Sequence, residues 1–322
     1  MEKKDTEQGK EMKDGVNVYC LAYNHEKYIE KTLEGFVNQT VDFPYKVIVH
    51  DDASTDRTAE IIQEYALSYP DIIYPVFQKE NQYSKGKEIY YEYIVPLLEY
   101  KYLAICEGDD YWTDNNKIKK QYDYMINNPD TVMTGHNTEK ITVDGVSLGK
   151  LSCLEEDCDI STEMLIENTV ACYFHTSSCM VIGDLKTNCP KELRIPGVGD
   201  LPLAINASLN GRIHYFNDTM SCYRTGVSGS WSERIKSSDE TILKHCDALI
   251  GFYSRLDNYT DKKYTRLCMD KVIQYERQKM MMRNKFYELF TDKGLREVCK
   301  RMPLRERLRT YKWMLKKDIQ KK

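Results

Sequence analysis

No stretch of this sequence is apolar for long enough to cross a bilayer. The longest candidate, residues 89–106, is broken by Glu92, Glu99 and Lys101, short of the ~18–20 uncharged residues that a spanning helix needs. The opening MEKKDTEQGKEMKDG is charged throughout and lacks the apolar core of a secretory signal, so the chain is expected in the cytoplasm. Glycine and proline are scarce, 16 and 9 in 322 residues, which excludes collagen-like and low-complexity classes. Apolar residues at 41% against 30% charged mark a folded chain rather than a disordered one. The eleven cysteines are odd in number, with no C-x-x-C and no matching histidine pair, although Cys153/Cys158 and Cys172/Cys179 are loosely paired. Neither a disulfide framework nor a structural zinc site is expected. Also missing are a G-x-G-x-x-G after the first strand, a G-x-x-x-x-G-K-[ST], a G-x-S-x-G and an H-E-x-x-H. Dinucleotide-dependent redox chemistry, P-loop hydrolysis and two common hydrolase designs lose support with them.

Charge is unevenly spread. The net charge is −4, yet residues 293–322 carry twelve Lys/Arg against three Asp/Glu, +9, which leaves −13 for the remainder. An acidic body argues against nucleic acid as a partner. In the tail, Leu304, Leu308, Tyr311 and Leu315 recur at helical spacing beside Arg305, Arg309, Lys312 and Lys316. This predicts a basic amphipathic helix, which either closes a core or makes peripheral contact with an anionic membrane surface.

The length suits one large α/β domain with an appendage. After a polar leader at 1–15, the β-prone run Val16–Ala22 is broken by Tyr23-Asn24-His25 and followed by a helix with Ile29, Leu33, Phe36 and Val37 on one face. A strand at Lys46–Val49 leads through His50–Asp56 into a helix at Thr58–Tyr69 with Ile61, Ile62, Tyr65 and Ala66 inward. A strand at Ile72–Phe77, a helix at Ile89–Glu99 and a strand at Tyr102–Cys106 follow. Such alternation implies right-handed crossovers and a mostly parallel sheet. Beyond about residue 130 the reading is mixed α+β, with β-prone runs at Thr131–Thr134, Thr142–Ser147, Cys172–Ile182 and Arg212–Phe216, and from Asp239 it is helical. The division expected is 16–235 for the main domain and 236–322 for a helical extension.

Four segments can carry chemistry. Asp51 and Asp52 stand at a strand's carboxyl end, where open α/β sheets collect ligands; Ser54 to Asp56 read equally as helix-capping residues. Glu107, Asp109 and Asp110 crowd three anionic groups into four residues after a buried strand, a costly arrangement unless a hard divalent cation such as Mg²⁺ or Mn²⁺ sits there; the alternative is an exposed acidic turn with no ion. The neighbours Tyr111 and Trp112 are suited to walling such a site. Asp200, in Gly197-Val198-Gly199-Asp200-Leu201-Pro202-Leu203, is either a general base or an N-cap. The Gly- and Ser-rich stretch from Tyr223-Arg224 to Trp231-Ser232 is either a loop that folds over a ligand or ordinary surface.

In this order the segments resemble the family 2 glycosyltransferases of the bacterial surface-polysaccharide branch. Ala22-Tyr23-Asn24 with Tyr28-Ile29 and Gln39 looks like the opening signature of that family, Val47 to Thr58 like its D-D-x-S-x-D-x-T nucleotide motif, and Cys106 to Trp112 like a variant of its D-x-D motif. Gly199 to Leu203 and Tyr223-Arg224 to Trp231-Ser232 resemble its later motifs. The resemblance implies a GT-A fold, a Rossmann-like sheet merged with a mixed α+β acceptor half. It implies a donor that is a nucleoside diphosphate sugar, with uridine diphosphate the default, and an acceptor hydroxyl on a glycan or lipid-linked molecule.

On this resemblance Asp52 faces the nucleobase, Ala22, Tyr23 and Asn24 line the same pocket, and Glu107 lies near the ribose. Asp109 is the leading ligand to Mn²⁺ or Mg²⁺, with Asp110 the alternate. Asp200 is the base of an inverting transfer of one sugar, while Arg224, and less directly Lys85 or Lys87, hold the phosphates. Gly226 stands where related sequences often place a histidine, Glu107 replaces the first Asp of D-x-D, and no Q-x-x-R-W follows. These departures set metal dependence in question and argue against a processive synthase. Two rival readings are a non-catalytic sugar-nucleotide or divalent-cation binding module, which has no use for Asp200, and a sugar nucleotidyltransferase, which needs a Gly-rich basic loop after the first strand.

Overall fold

The computed structural model describes residues 12–283. The chain divides into two compact units, Met1–Ser228 and Gly229–Lys322. The first is built on one ten-stranded sheet. Its elements run β1 (Lys13–Ala22), α1 (Ile29–Val37), β2 (Tyr45–Asp51), α2 (Thr58–Ser68), β3 (Ile73–Phe77), β4 (Tyr100–Ile105), β5 (Tyr111–Trp112), α3 (Lys117–Asn127), β6 (Thr131–Ile141), β7 (Ser147–Lys150), β8 (Cys158–Asp159), α4 (Thr162–Glu167), β9 (Met180–Ile182), α5 (Gly183–Thr187), α6 (Asp200–Asn210) and β10 (Arg212–Arg224).

The main path of the sheet is β3-β2-β1-β4-β9-β6-β10-β5. From β1 the chain steps outward through β2 to β3, then returns to place β4 on the other flank of β1, all in parallel. That reversal is a topological switch point, and the crevice beyond the strands' carboxyl ends there is where ligands bind in such sheets. Antiparallel β9 joins β4 to β6, and β6 pairs in parallel with β10. The carboxyl ends of β1, β2, β4, β6 and β10 therefore share one edge. Alternation along β1 sends Val16, Val18, Cys20 and Ala22 into a core shared with Ile29, Leu33 and Phe36 of α1 and Ile62 of α2.

Several expectations shift in detail. The helix expected over Ile89–Glu99 is a π-helical turn, Tyr90–Ile94, followed by a 3-10 turn, Val95–Leu97, because Pro96 has no N–H to continue an α-helical ladder. The run Thr142–Ser147 is mostly the turn between β6 and β7, with Gly145 at φ 82°. Within Cys172–Ile182 only Met180–Ile182 is strand; two 3-10 turns precede it. Arg212–Phe216 is the first part of a strand that continues to Arg224.

The second unit contains α7 (Trp231–Lys236), α8 (Asp239–Tyr259) and α9 (Thr265–Arg283). Ser238 opens α8 with a capping box completed by Thr241. Tyr253 and Tyr275 stack at 6.2 Å, and Lys279 pairs with Asp247, joining α9 to α8. The basic amphipathic tail expected at 304–316 lies outside the described residues. No helix among the described residues is long and apolar enough to cross a membrane, and ten cysteines there are free thiols.

Candidate active site

Two loops at the shared edge are bound to each other side chain to backbone. The amide of Asn24 donates to Ser54 Oγ at 2.9 Å, and its own Oδ1 accepts from the Thr55 amide at 2.8 Å. The His25 amide reaches Thr58 Oγ1 at 2.8 Å, and the Glu26 amide reaches Asp56 Oδ2 at 3.1 Å. Asn24 and Ala53 take left-handed φ values of 56° and 60°, a region asparagine tolerates better than most residues. Ser54 and Thr55, read from sequence as capping residues, instead join β1's loop to β2's; Arg57 holds the N-cap of α2 without a side-chain bond, and Asp56 both joins the loops and accepts the Thr58 amide through Oδ1 at 3.0 Å.

Beside this junction Ala22 is buried and its carbonyl accepts the Asp52 amide at 3.0 Å, while Tyr23 is exposed. Asp52 is buried, with its carboxylate accepting the amides of Gln82 and Tyr83 at 2.8 and 3.0 Å. Asp51 accepts the Ser54 amide through Oδ2 at 3.1 Å, and its Oδ1 is buried without a partner among the described residues.

The acidic turn after β4 lies next to these loops. The Gly108 amide donates to the Leu21 carbonyl at 2.9 Å, and a Cβ on Gly108 would lie 2.8 Å from His25 Nδ1. Glu107, Asp109 and Asp110 offer carboxylate oxygens within 4.8 Å of one another. Burial, and then the charge of Asp109, pushes the Asp110 carboxyl well above the usual range. Asp110 is held on several sides: Oδ1 accepts the Arg224 amide at 2.9 Å, Thr32 Oγ1 donates to its carbonyl at 2.6 Å, and His175 Nδ1 stands 3.4 Å from Oδ2. The Asp109 carboxylate, also buried, accepts no hydrogen bond among the described residues. Three carboxylates this close fit a hard divalent cation chemically.

Arg224 Nε donates to the Asp109 carbonyl at 3.1 Å and Nη1 to the Val143 carbonyl at 3.3 Å, with the guanidinium 4.6 Å from the Tyr28 ring. Lys85 and Lys87 are exposed and pair with Glu80 and Glu92. Trp112 is a core residue, its ring 4.8 Å from Phe36 and its Nε1 donating to the Ser177 carbonyl at 2.8 Å; among the aromatics after the acidic turn, Tyr111 is the one beside Arg224, at 5.7 Å.

Asp200 is the first residue of α6 and Gly199 holds the cap position without a side-chain bond. The N-cap alternative for Asp200 is therefore not what forms; its Oδ1 accepts the next amide, Leu201, at 2.8 Å. Lys186 of α5 lies close by, its Nζ 4.0 Å from where a Cβ on Gly199 would stand. Burial lowers the Lys186 ammonium to about 8, opposed by the charges of Cys179, Cys189, Asp200 and Glu107. The acidic turn and the start of α6 therefore act on one ammonium. Trp231, from the expected ligand loop, opens α7 in the second unit with its ring edge-on to His245 at 5.4 Å.

Sequence reasoning passed over His175, Thr32 and Lys186. His175 lies in a stretch read as strand, and its stacking on Tyr223 at 4.0 Å joins positions with no local signal between them.

Residues 18–171 match the model of the family described as Glycosyl transferase family 2. The chain belongs to this family. An uncharacterized protein of Mycobacterium tuberculosis is 32% identical over 225 residues, spanning 67% of this chain and 60% of that protein; the match thus covers less than two thirds of that relative's length. The dTDP-rhamnosyl transferase RfbG of Shigella flexneri is 34% identical over 108 residues, 33% of this chain and 36% of that one. Among solved structures, S. aureus TarS 1-349 in complex with UDP superposes with a TM-score of 0.56 at 17% identity, covering 92% of this chain and 77% of that chain. The mannosyltransferase PcManGT from Pyrobaculum calidifontis, in complex with GDP-Man and Mn2+, gives 0.53 at 15% identity over 88% and 83%. The fold of this family 2 member is that of the GT-A glycosyltransferases.

Proposed function

We propose that the chain is an inverting, metal-dependent glycosyltransferase. It moves one sugar from a nucleoside diphosphate sugar to a hydroxyl of a glycan or lipid-linked acceptor in surface polysaccharide synthesis. The observation that carries this reading is the meeting, at the switch point between β1 and β4, of the Asn24–Ser54 junction with three carboxylates within 4.8 Å. Ala22, Tyr23, Asn24 and the Asp51–Asp52 pair frame the nucleoside end; Asp52 secures the wall formed by Gln82 and Tyr83, and the unpartnered Asp51 oxygen is a second acceptor beside it.

Asp109 would hold Mn²⁺ or Mg²⁺, helped by Glu107, with Asp110 the alternate. When bound, such an ion would supply neutralisation of charge on the leaving diphosphate, worth several kcal/mol on general grounds. Asp200 takes the proton of the acceptor hydroxyl as its oxygen attacks the anomeric carbon opposite the diphosphate. Arg224 braces the carbonyl of Asp109 and lies against the phosphate end. The second unit's basic tail is read as a peripheral membrane contact, suited to a lipid-linked acceptor.

The test is a thermal-shift panel of uridine, guanosine and thymidine diphosphates and their sugars, with and without Mn²⁺, on the wild type, Asp52→Ala and Asp109→Asn. Ligands that bind only the native state raise the melting temperature. A metal-dependent rise with one base, lost in both variants, is expected; no rise with any nucleotide overturns the reading.

A further inference from the structure

The first unit contains two lysines whose ammonium groups are shifted by burial, and they differ in what surrounds them. Lys117, fully buried, donates to Gln121 Oε1 at 2.8 Å and lies 4.1 Å over the Trp112 ring. It is satisfied within the fold. The Lys186 ammonium makes no ion pair or hydrogen bond among the described residues; it lies 4.6 Å over the Tyr90 ring and 5.6 Å from the Tyr19 ring.

Its backbone is firmly placed. Tyr91 Oη donates to the Lys186 carbonyl at 3.3 Å, Asn206 Nδ2 to the Leu185 carbonyl at 2.8 Å, and Tyr90 Oη shares a hydrogen bond with Thr187 Oγ1 at 3.1 Å. The Tyr90 contact and the Asn206 bond tie α5 to the π-helical turn and to α6, so the ammonium is held near the start of α6. Lys186 is half-buried; an ammonium drawn partly out of water is costly without an anion or a set of acceptors, and aromatic faces offset only part of that cost. Of the cations expected at the phosphates, Arg224 donates to two carbonyls, Lys85 pairs with Glu80 and Lys87 with Glu92.

We propose that Lys186 is a substrate-binding residue whose ammonium takes an anionic oxygen of the donor, supplied either by the diphosphate or by a carboxylate on the transferred sugar. This deepens the glycosyltransferase reading and rests on it. Both sources present the same chemistry at one place, beside the start of α6 where the base candidate Asp200 stands. The two tyrosine rings give the ammonium a bed that leaves its N–H groups for a ligand.

The test uses the full chain with Mn²⁺ and titrates UDP, UDP-glucose and UDP-glucuronate by calorimetry, or their counterparts with the base the panel selects, into wild type, Lys186→Met and Lys186→Gln. Thermal unfolding without ligand is expected to be unchanged in at least one of the two neutral variants, and that one is read. An affinity loss of about tenfold or more for all three ligands assigns the diphosphate. The same loss confined to UDP-glucuronate assigns a sugar carboxylate. Wild-type affinity for all three in the neutral variant overturns the proposal, as does a fall in ligand-free melting in both variants, which makes Lys186 structural. A wild-type chain that binds no nucleotide is a different result, since it removes the nucleotide site itself.

Discussion

The backbone amide of Arg224 donates a 2.9 Å hydrogen bond to Oδ1 of Asp110 across 114 positions of sequence. One end of the long strand β10 is thereby attached to the acidic turn after β4. The bond occupies one oxygen of Asp110 and His175 Nδ1 stands 3.4 Å from the other, whereas the adjacent Asp109 carboxylate is left without a hydrogen bond among the described residues.

The two aspartates should accordingly differ. Asp109→Asn is expected to lower Mn²⁺ affinity by about tenfold or more, while Asp110→Asn, which preserves an acceptor for the Arg224 amide, changes it less. Titration of Mn²⁺ followed by electron paramagnetic resonance measures both, and the reverse order would assign the ion to Asp110.

For Asp200, removal of the carboxylate charge should affect turnover and spare binding. Asp200→Asn is expected to lose ~10²–10⁴-fold in the rate of nucleoside diphosphate release, the usual contribution of a positioned general base, with donor affinity unchanged. Steady-state assays and calorimetry on the same preparation separate the two quantities. Wild-type turnover in the variant would remove Asp200 from the mechanism.

At Gly108 the constraint is space. A Cβ there would meet His25 Nδ1 at 2.8 Å and Ala22 Cβ and Ile29 Cδ1 at 3.1 Å. Gly108→Ala is expected to cost roughly 1–3 kcal/mol by overpacking, read from denaturant unfolding, and to weaken nucleotide binding because the loops after β1 and β4 must separate. Unchanged stability would mean that the His25 ring moves aside freely.

Lys117 provides a pH test of the fold. Burial lowers its ammonium from 10.5 to about 7, so between those values the unfolded chain binds more protons than the folded one and stability rises with pH. The gain is complete above the unfolded value and lost as pH falls through the folded one. Lys117→Met should abolish it, so the stability difference between variant and wild type should shrink by on the order of 3 kcal/mol from about pH 7 to about pH 10. Groups that do not feel the Lys117 charge titrate alike in both proteins and cancel in that difference; Cys106 and Cys179 do feel it, so both are replaced by alanine in the pair compared. Parallel curves would show that Lys117 stays charged in the fold.

Much of the first unit was legible in the sequence because its signals are local. The β-prone run ending at Ala22, the helical spacing of Ile29, Leu33 and Phe36, and the acids after Ile105 each declare themselves within a few residues, since pleat and helix periods are short. The π-helical turn at Tyr90–Ile94 and the 3-10 turns before Met180 were not legible. An apolar stretch interrupted by Pro96 still carries helical spacing, and the Cys172–Cys179 segment has β-prone composition although its backbone forms turns.

The sequence by itself determined that acidic groups would gather at the ends of buried strands in a mostly parallel α/β sheet, and that one more acid would begin a late helix. Only the tertiary structure decided which acids face one another and which are already engaged. Asp52 binds the amides of Gln82 and Tyr83, Asp110 binds the amide of Arg224, and Lys186 is placed beside Gly199. The reason is that hydrogen bonds and charges act over a few ångströms in space. The placement of β4 beside β1, and of β10 beside β6, brings together residues that the chain order holds 80 or more positions apart.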